Sequence, residues 1–189
     1  MKNPAKTNKS TPEKDKRYQK TEQLLFDAFR KTVVSGVTIP CPTSLTRKAG
    51  VSRSTFYQHY KNPLEIYRRH KTRLFHRFNN ISAKLVENHA DVTTILRRLL
   101  IFIYQNQDFF SLDLTKCNCT ATIKILDTLK PELTKTWRTA DFFGIYAHEL
   151  IGVLKSWREQ NFDDTTLEKT LSELVYLTET AEKRLWNKN

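Results

Sequence analysis

Apolar residues in this 189-residue chain recur three and four positions apart along most of its length. Nowhere do they alternate with polar ones as a half-buried strand requires. The clearest run is Phe143, Tyr146, Ala147, Leu150, Leu154 and Trp157, spaced so that all six share one face of a helix of about four turns. The chain therefore reads as all-α, with about nine helices. Only four residues are glycine, and no two lie closer than eight positions. Phosphate-cradling loops need glycines packed into a single turn, so kinase-like and dinucleotide-binding readings are excluded.

The longest apolar run, Leu99 to Tyr104, is six residues, against the ~20 that a membrane-crossing helix needs. No apolar stretch follows Met1 that resembles a secretion signal, so a cytoplasmic, nucleoid-associated protein with no membrane partner is expected. Cys41, Cys117 and Cys119 are too few for a structural zinc site and are read as unpaired thiols, with the role of Cys117 and Cys119 left open. His59, His70, His76, His89 and His148 are scattered, and no nucleophile, base or carboxylate pair is evident. Neither an enzyme nor a cofactor is expected.

Charge is divided unevenly. Residues 1 to 80 hold 18 Lys or Arg against 5 Asp or Glu, a net of +13, whereas residues 81 to 189 hold 14 against 15, a net of −1. Such a split points to a first half that meets a polyanion, with nucleic acid the preferred reading, and a second half with another task.

Residues 1 to 18 are basic and poor in apolar side chains, as in a flexible arm. A first helix is predicted over 19–34, with Ser35-Gly36 as its stop. Pro42 opens a short second helix bearing Leu45 and Ala49, and Gly50 ends it. Ser52 caps a third over 53–60. Asn62, Pro63 and Glu65 start a fourth that runs into the eighties. Asp91 precedes a helix through Ile95, Leu99 and Ile103, after which Phe109, Phe110 and Leu112 form a less regular stretch. A helix over about 120–129 is expected to stop at Lys130-Pro131. Phe143 to Trp157 and Leu167 to Leu185 give the last two, the latter with Thr165 and Glu168 as a capping box.

The second and third helices, joined by Ala49-Gly50-Val51-Ser52, have the layout of a helix-turn-helix. Leu45, Ala49, Val51 and Phe56 point inward, leaving Ser52, Arg53, Ser54, Thr55, Gln58 and His59 outward. Arg53 can offer a bidentate fork to guanine or phosphate, Gln58 can pair with adenine, and the Thr55 methyl can meet thymine. Tyr57, His59, Lys61, Thr43 and Lys48 can hold the backbone without reading sequence, while Tyr60 is read as a core aromatic.

The run from Leu45 to Ile66, with its Ala-Gly-Val-Ser-Arg-Ser-Thr-Phe-Tyr core at 49–57 and Leu25-Phe-Asp-Ala-Phe29 ahead of it, resembles the DNA-binding domain of the TetR family of bacterial transcriptional regulators. The resemblance covers about residues 19 to 70. It implies a three-helix DNA-binding domain over 19–66, a larger helical ligand-binding and dimerisation domain over 67–189, and a homodimer whose third helices read double-stranded operator DNA. Ser52 to Thr55, Tyr57 and His59 would lie at the groove or backbone, with Lys61 on a phosphate. Two positions depart from the family pattern. Cys41-Pro42 replaces a capping Thr, and Pro63 stands where a Lys is frequent.

In the second half the resemblance rests on architecture alone. It implies that late helices form a four-helix bundle between subunits, for which Leu150, Leu154, Trp157, Leu171 and Leu174 are suited. It also implies a cavity for a small apolar or aromatic effector, with Phe102, Phe109, Phe110, Trp137, Phe143, Tyr146 and His148 as candidate lining. The expected activity is repression relieved by such an effector. The alternative is a second half that docks a protein partner, as in coactivators or nucleoid factors.

Overall fold

The computed structural model describes residues 16–37, 40–135, 137 and 143–186. Among them the regular structure is helical, with no strand: α1 (Lys16–Val34), α2 (Pro42–Ala49), α3 (Arg53–His59), α4 (Pro63–Glu87), α5 (Val92–Gln105), α6 (Gln107–Lys116), α7 (Thr120–Leu133), α8 (Phe143–Glu159) and α9 (Leu167–Trp186). The chain divides into two compact units, Met1–Arg69 and His70–Asn189.

In the first unit α1 buries Leu25, Phe26, Ala28, Phe29 and Val33, the i, i+3, i+4 stripe that its sequence carries. It packs against α2, which contributes Leu45 and Ala49, and α2 packs against α3, which contributes Phe56. The turn between α2 and α3 depends on Gly50, whose φ of 65° and ψ of 31° lie in the left-handed region. A Cβ there would meet no neighbour, so backbone conformation rather than space is what favours glycine.

The caps follow the sequence closely. The Cys41 Sγ accepts the Ser44 N–H at 3.4 Å and so caps α2. Ser52 Oγ accepts the Thr55 N–H at 2.9 Å, Asn62 Oδ1 accepts the Glu65 N–H at 3.1 Å, and Asp91 Oδ1 accepts the Thr94 N–H at 2.7 Å. Glu65 Oε2 in turn accepts the Lys61 N–H at 2.6 Å. That contact, followed by contributions from Arg69, holds the Glu65 carboxyl below its usual pKa against the opposing effect of burial.

In the second unit α8 packs against α6, α7 and α9, and α9 also packs against α5. The carboxylate of Asp113 on α6 is fully buried. It accepts hydrogen bonds from the Ala121 N–H (2.9 Å), the Thr122 N–H (2.9 Å) and the Thr122 hydroxyl (2.7 Å), capping α7 from a neighbouring helix.

Five expectations need correction. Helix α1 starts at Lys16, so residues 16–18 are helical rather than part of an arm, and 1–15 lie outside the described residues. Helix α3 ends at His59, with Tyr60 extended as its C-cap. The stretch around Phe109 is a regular helix, α6, which buries Phe109, Phe110, Leu112, Asp113 and Leu114 and so lacks a one-sided pattern. Helix α7 passes Pro131 and ends at Leu133, two residues after a proline that has no N–H to give the Asp127 carbonyl. The start of α9 is organised by Asp163, which accepts the Thr165 N–H and hydroxyl at 3.0 and 2.8 Å, while Glu168 pairs with Arg97 instead of capping.

Candidate nucleic-acid interface

Helix α3 is a short rod with one face buried and one bare. Phe56 is buried against α2, and on the other side Ser52, Arg53, Ser54, Tyr57 and Gln58 are exposed, with Thr55 half-buried. Tyr57 is 51 % exposed, its ring packed edge-on against Phe56 at 5.2 Å, so the phenol stands outward. Ser52 Oγ lies 2.8 Å from Thr55 Oγ1 as well as capping the helix, which fixes both hydroxyls at its N-terminal end. Backbone N–H groups and hydroxyls at a helix N-terminus favour an anionic ligand.

Lys61 follows α3 with its side chain exposed. On α2 Thr43 and Arg47, four residues apart, are both exposed, and Lys48 beside them donates to Thr32 Oγ1 at 2.9 Å. Arg47 was not singled out in the sequence, although its spacing from Thr43 places both on one face.

His59 is a correction. It is buried, 5 % exposed, with its ring stacked on Tyr18 of α1 at 3.9 Å. It braces α3 against α1 and is not available to a groove. Tyr60 is buried as expected; its hydroxyl donates to Glu22 Oε1 at 3.3 Å. Arg69 binds the same carboxylate at 3.6 Å, donates to Glu65 Oε1 at 2.9 Å and to the Tyr18 hydroxyl at 3.2 Å, and lies over the Tyr60 ring. These contacts tie α1 to the start of α4 and thereby fix the platform from which α3 projects.

They also shape the surface charge. The three described acidic residues of the first unit are Glu22, which is buried, and Asp27 and Glu65, which are half-buried. Asp27 accepts from Gln23 at 3.1 Å. Nine Lys or Arg side chains of the same residues are exposed, Arg47, Lys48, Arg53 and Lys61 among them. Among the described residues of the unit the exposed charged side chains are therefore all cationic, a distribution that favours an anionic partner.

The second-half candidates are placed differently from expectation. Leu150, Leu154, Trp157, Leu171 and Leu174 are all buried within the single chain, so they have no surface left to lose to a partner. Trp157 packs edge-on against Phe162 at 5.2 Å and donates its indole N–H to the Asp163 carbonyl at 3.0 Å. Among the described side chains of α8 and α9, the large apolar ones that are exposed are Ile145 (55 %) and Tyr176 (62 %).

The aromatic candidates pack ring against ring in two clusters. Phe102, Phe109 and Phe110 form one, at 5.5 to 6.0 Å, and Trp137, Phe143 and Tyr146 the other, at 5.2 to 5.8 Å. Tyr146 hydrogen-bonds Thr178, and burial pushes its phenol pKa well up. His148 is exposed and donates from Nδ1 to the Gly144 carbonyl. Of the seven, Phe102 lines a groove with Ile81, Leu85 and Ile101, and Phe110 a small cleft with Leu74 and Phe75. No helix of the described residues is long and apolar enough to cross a membrane.

Comparison of the chain with family models, with curated proteins and with solved structures finds no match in any of the three.

Proposed function

We propose that this protein is a sequence-specific, double-stranded-DNA-binding transcriptional regulator of the TetR type. The observation that carries the reading is the bare face of α3, with Ser52, Arg53, Ser54, Tyr57 and Gln58 outward on a unit whose described acidic groups are buried (Glu22) or half-buried (Asp27, Glu65) while nine described cations are exposed. The rod fits a major groove ~12 Å wide, with Arg53 and Gln58 at base edges and Lys61, Lys48, Thr43 and Tyr57 on the backbone. One such helix contacts too little surface for operator-level affinity. A homodimer presenting two of them to half-sites about one helical turn, ~34 Å, apart supplies the rest.

The subunits would meet through the exposed side of α8 and α9, where Ile145 and Tyr176 stand out, rather than through the leucine face inside the chain. In this reading the protein is a repressor that an effector releases by favouring a DNA-incompetent state. A second unit that docks a protein partner is the other reading, favoured by the closed packing of its aromatics.

Selection of bound fragments from random duplex DNA tests the proposal. Recovery of a palindrome with half-sites one turn apart is the expected result. Failure to retard any duplex in dilute buffer would overturn it.

A further inference from the structure

Two open grooves of similar size cross the surface of the second unit, and their chemistry differs. One, of ~310 Å³ between α5 and α9, holds Arg97 together with Glu168 and Glu179, and Arg97 is engaged by Glu168. The other, of ~330 Å³ between α4 and α5, has Ile81, Leu85, Ile101 and Phe102 along its apolar lining. Lys84 stands exposed on its α4 wall and Arg98 on its α5 wall. No acidic residue lines it, and neither cation has an ion-pair partner among the described residues.

We propose that the α4–α5 groove binds a small amphiphile with a single carboxylate head and an alkyl or aryl tail. Apolar surface flanked by two unopposed cations is complementary to such a molecule. The tail covers the half-buried Ile81, Leu85 and Ile101, while the planar guanidinium of Arg98 matches a carboxylate and Lys84 adds a second charge. A neutral amphiphile leaves both cations unsatisfied, and a cationic one is repelled. The volume lies at the small end of the range for ligand sites, ~300 to 1,000 Å³. Binding stands on the groove alone. Its role, as the effector named above, rests on the regulator reading.

The test titrates decanoate, decanol and decyltrimethylammonium, each below its micellar concentration, into the full chain without DNA. Calorimetry gives affinities, and the side-chain amide resonances of Asn88 and Gln105, which also line the groove, report the place. Decanoate is expected to move both resonances and to bind at least tenfold more tightly than either other probe. Lys84→Glu and Arg98→Glu should each weaken it tenfold or more, with helical circular dichroism unchanged. Lys169→Glu on α9, exposed and outside the groove, alters net charge equally and should leave the affinity as it was. Equal binding of decanol, resonances that stay still, or full affinity in both groove variants would overturn the proposal. A chain that binds decanoate but no duplex would leave this groove standing and remove the DNA reading; the reverse outcome would remove the groove alone.

Discussion

Removing one cation beside α3 should change how binding responds to salt by an amount that can be worked out beforehand. The Lys61 side chain is exposed, while its backbone N–H holds the Glu65 carboxylate at 2.6 Å. Lys61→Ala therefore deletes the charge and keeps the contact that starts α4. Each phosphate neutralised on B-DNA contributes ~0.9 to the slope of log affinity against log salt. A fourfold rise in salt, from ~50 to ~200 mM, thus weakens binding ~3.5-fold per contact, and ~12-fold where a dimer makes the contact twice. The variant should lose that part of the salt response and flatten the slope by ~1.8. Fluorescence anisotropy with a labelled duplex at four salt concentrations gives the number. Lys169→Ala, on α9, serves as the control. An unchanged slope for Lys61→Ala, or an equal change in the control, would refute the placement of Lys61 on the phosphate backbone.

Arg53→Ala and Gln58→Ala should each relax base preference at one position of a half-site by ~1 to 3 kcal/mol, measured on a panel of single-substitution duplexes; uniform losses on every duplex would restrict both residues to phosphate. Trp157→Ala should destabilise the second unit by about 3 to 5 kcal/mol in urea denaturation, since it empties a fully buried site and strands the Asp163 carbonyl. An unchanged midpoint would contradict its placement in the core. Burial, then the charge of Arg73, lowers the His70 pKa from 6.5 to about 4. Across that interval the unfolded chain binds a proton that the folded chain refuses, so stability falls as pH drops, by up to roughly 3 kcal/mol. His70→Gln should flatten this part of the stability profile, and an equally steep profile in the variant would count against the lowered pKa.

What the sequence disclosed about the candidate interface is what local chemistry determines. Gly50 is left-handed because the turn needs it, Ser52 and Asn62 cap because their oxygens sit at the right offset, and the α3 face is bare because only Phe56 is apolar at the inward position. His59 escaped because its partner is Tyr18, 41 positions earlier, and nothing local distinguishes a histidine covered by a distant ring from one in solvent. Leu150, Leu154 and Trp157 form the expected apolar face, yet periodicity cannot say whether its complement lies in the same chain or in another copy. Helix α6 was obscured for the opposite reason, since burial on several sides leaves no periodic contrast. The pairing of Lys84 with Arg98 across a groove, fourteen residues apart on different helices, has no sequence signature at all.

The carboxylate that α6 lends to α7 reverses the usual order in which a helix loosens. Opening turns exchange their amide protons with solvent early, because nothing inside the helix accepts them. Here the amides of Ala121 and Thr122 are locked onto the buried Asp113. The left-handed link at Asn118 and Cys119 is drawn in the same direction by the Cys119 N–H, which donates to the Asp113 carbonyl at 2.9 Å. Deuterium should enter α7 from its far end, near Pro131, making the α6–α7 corner a hinge pin rather than a fraying edge.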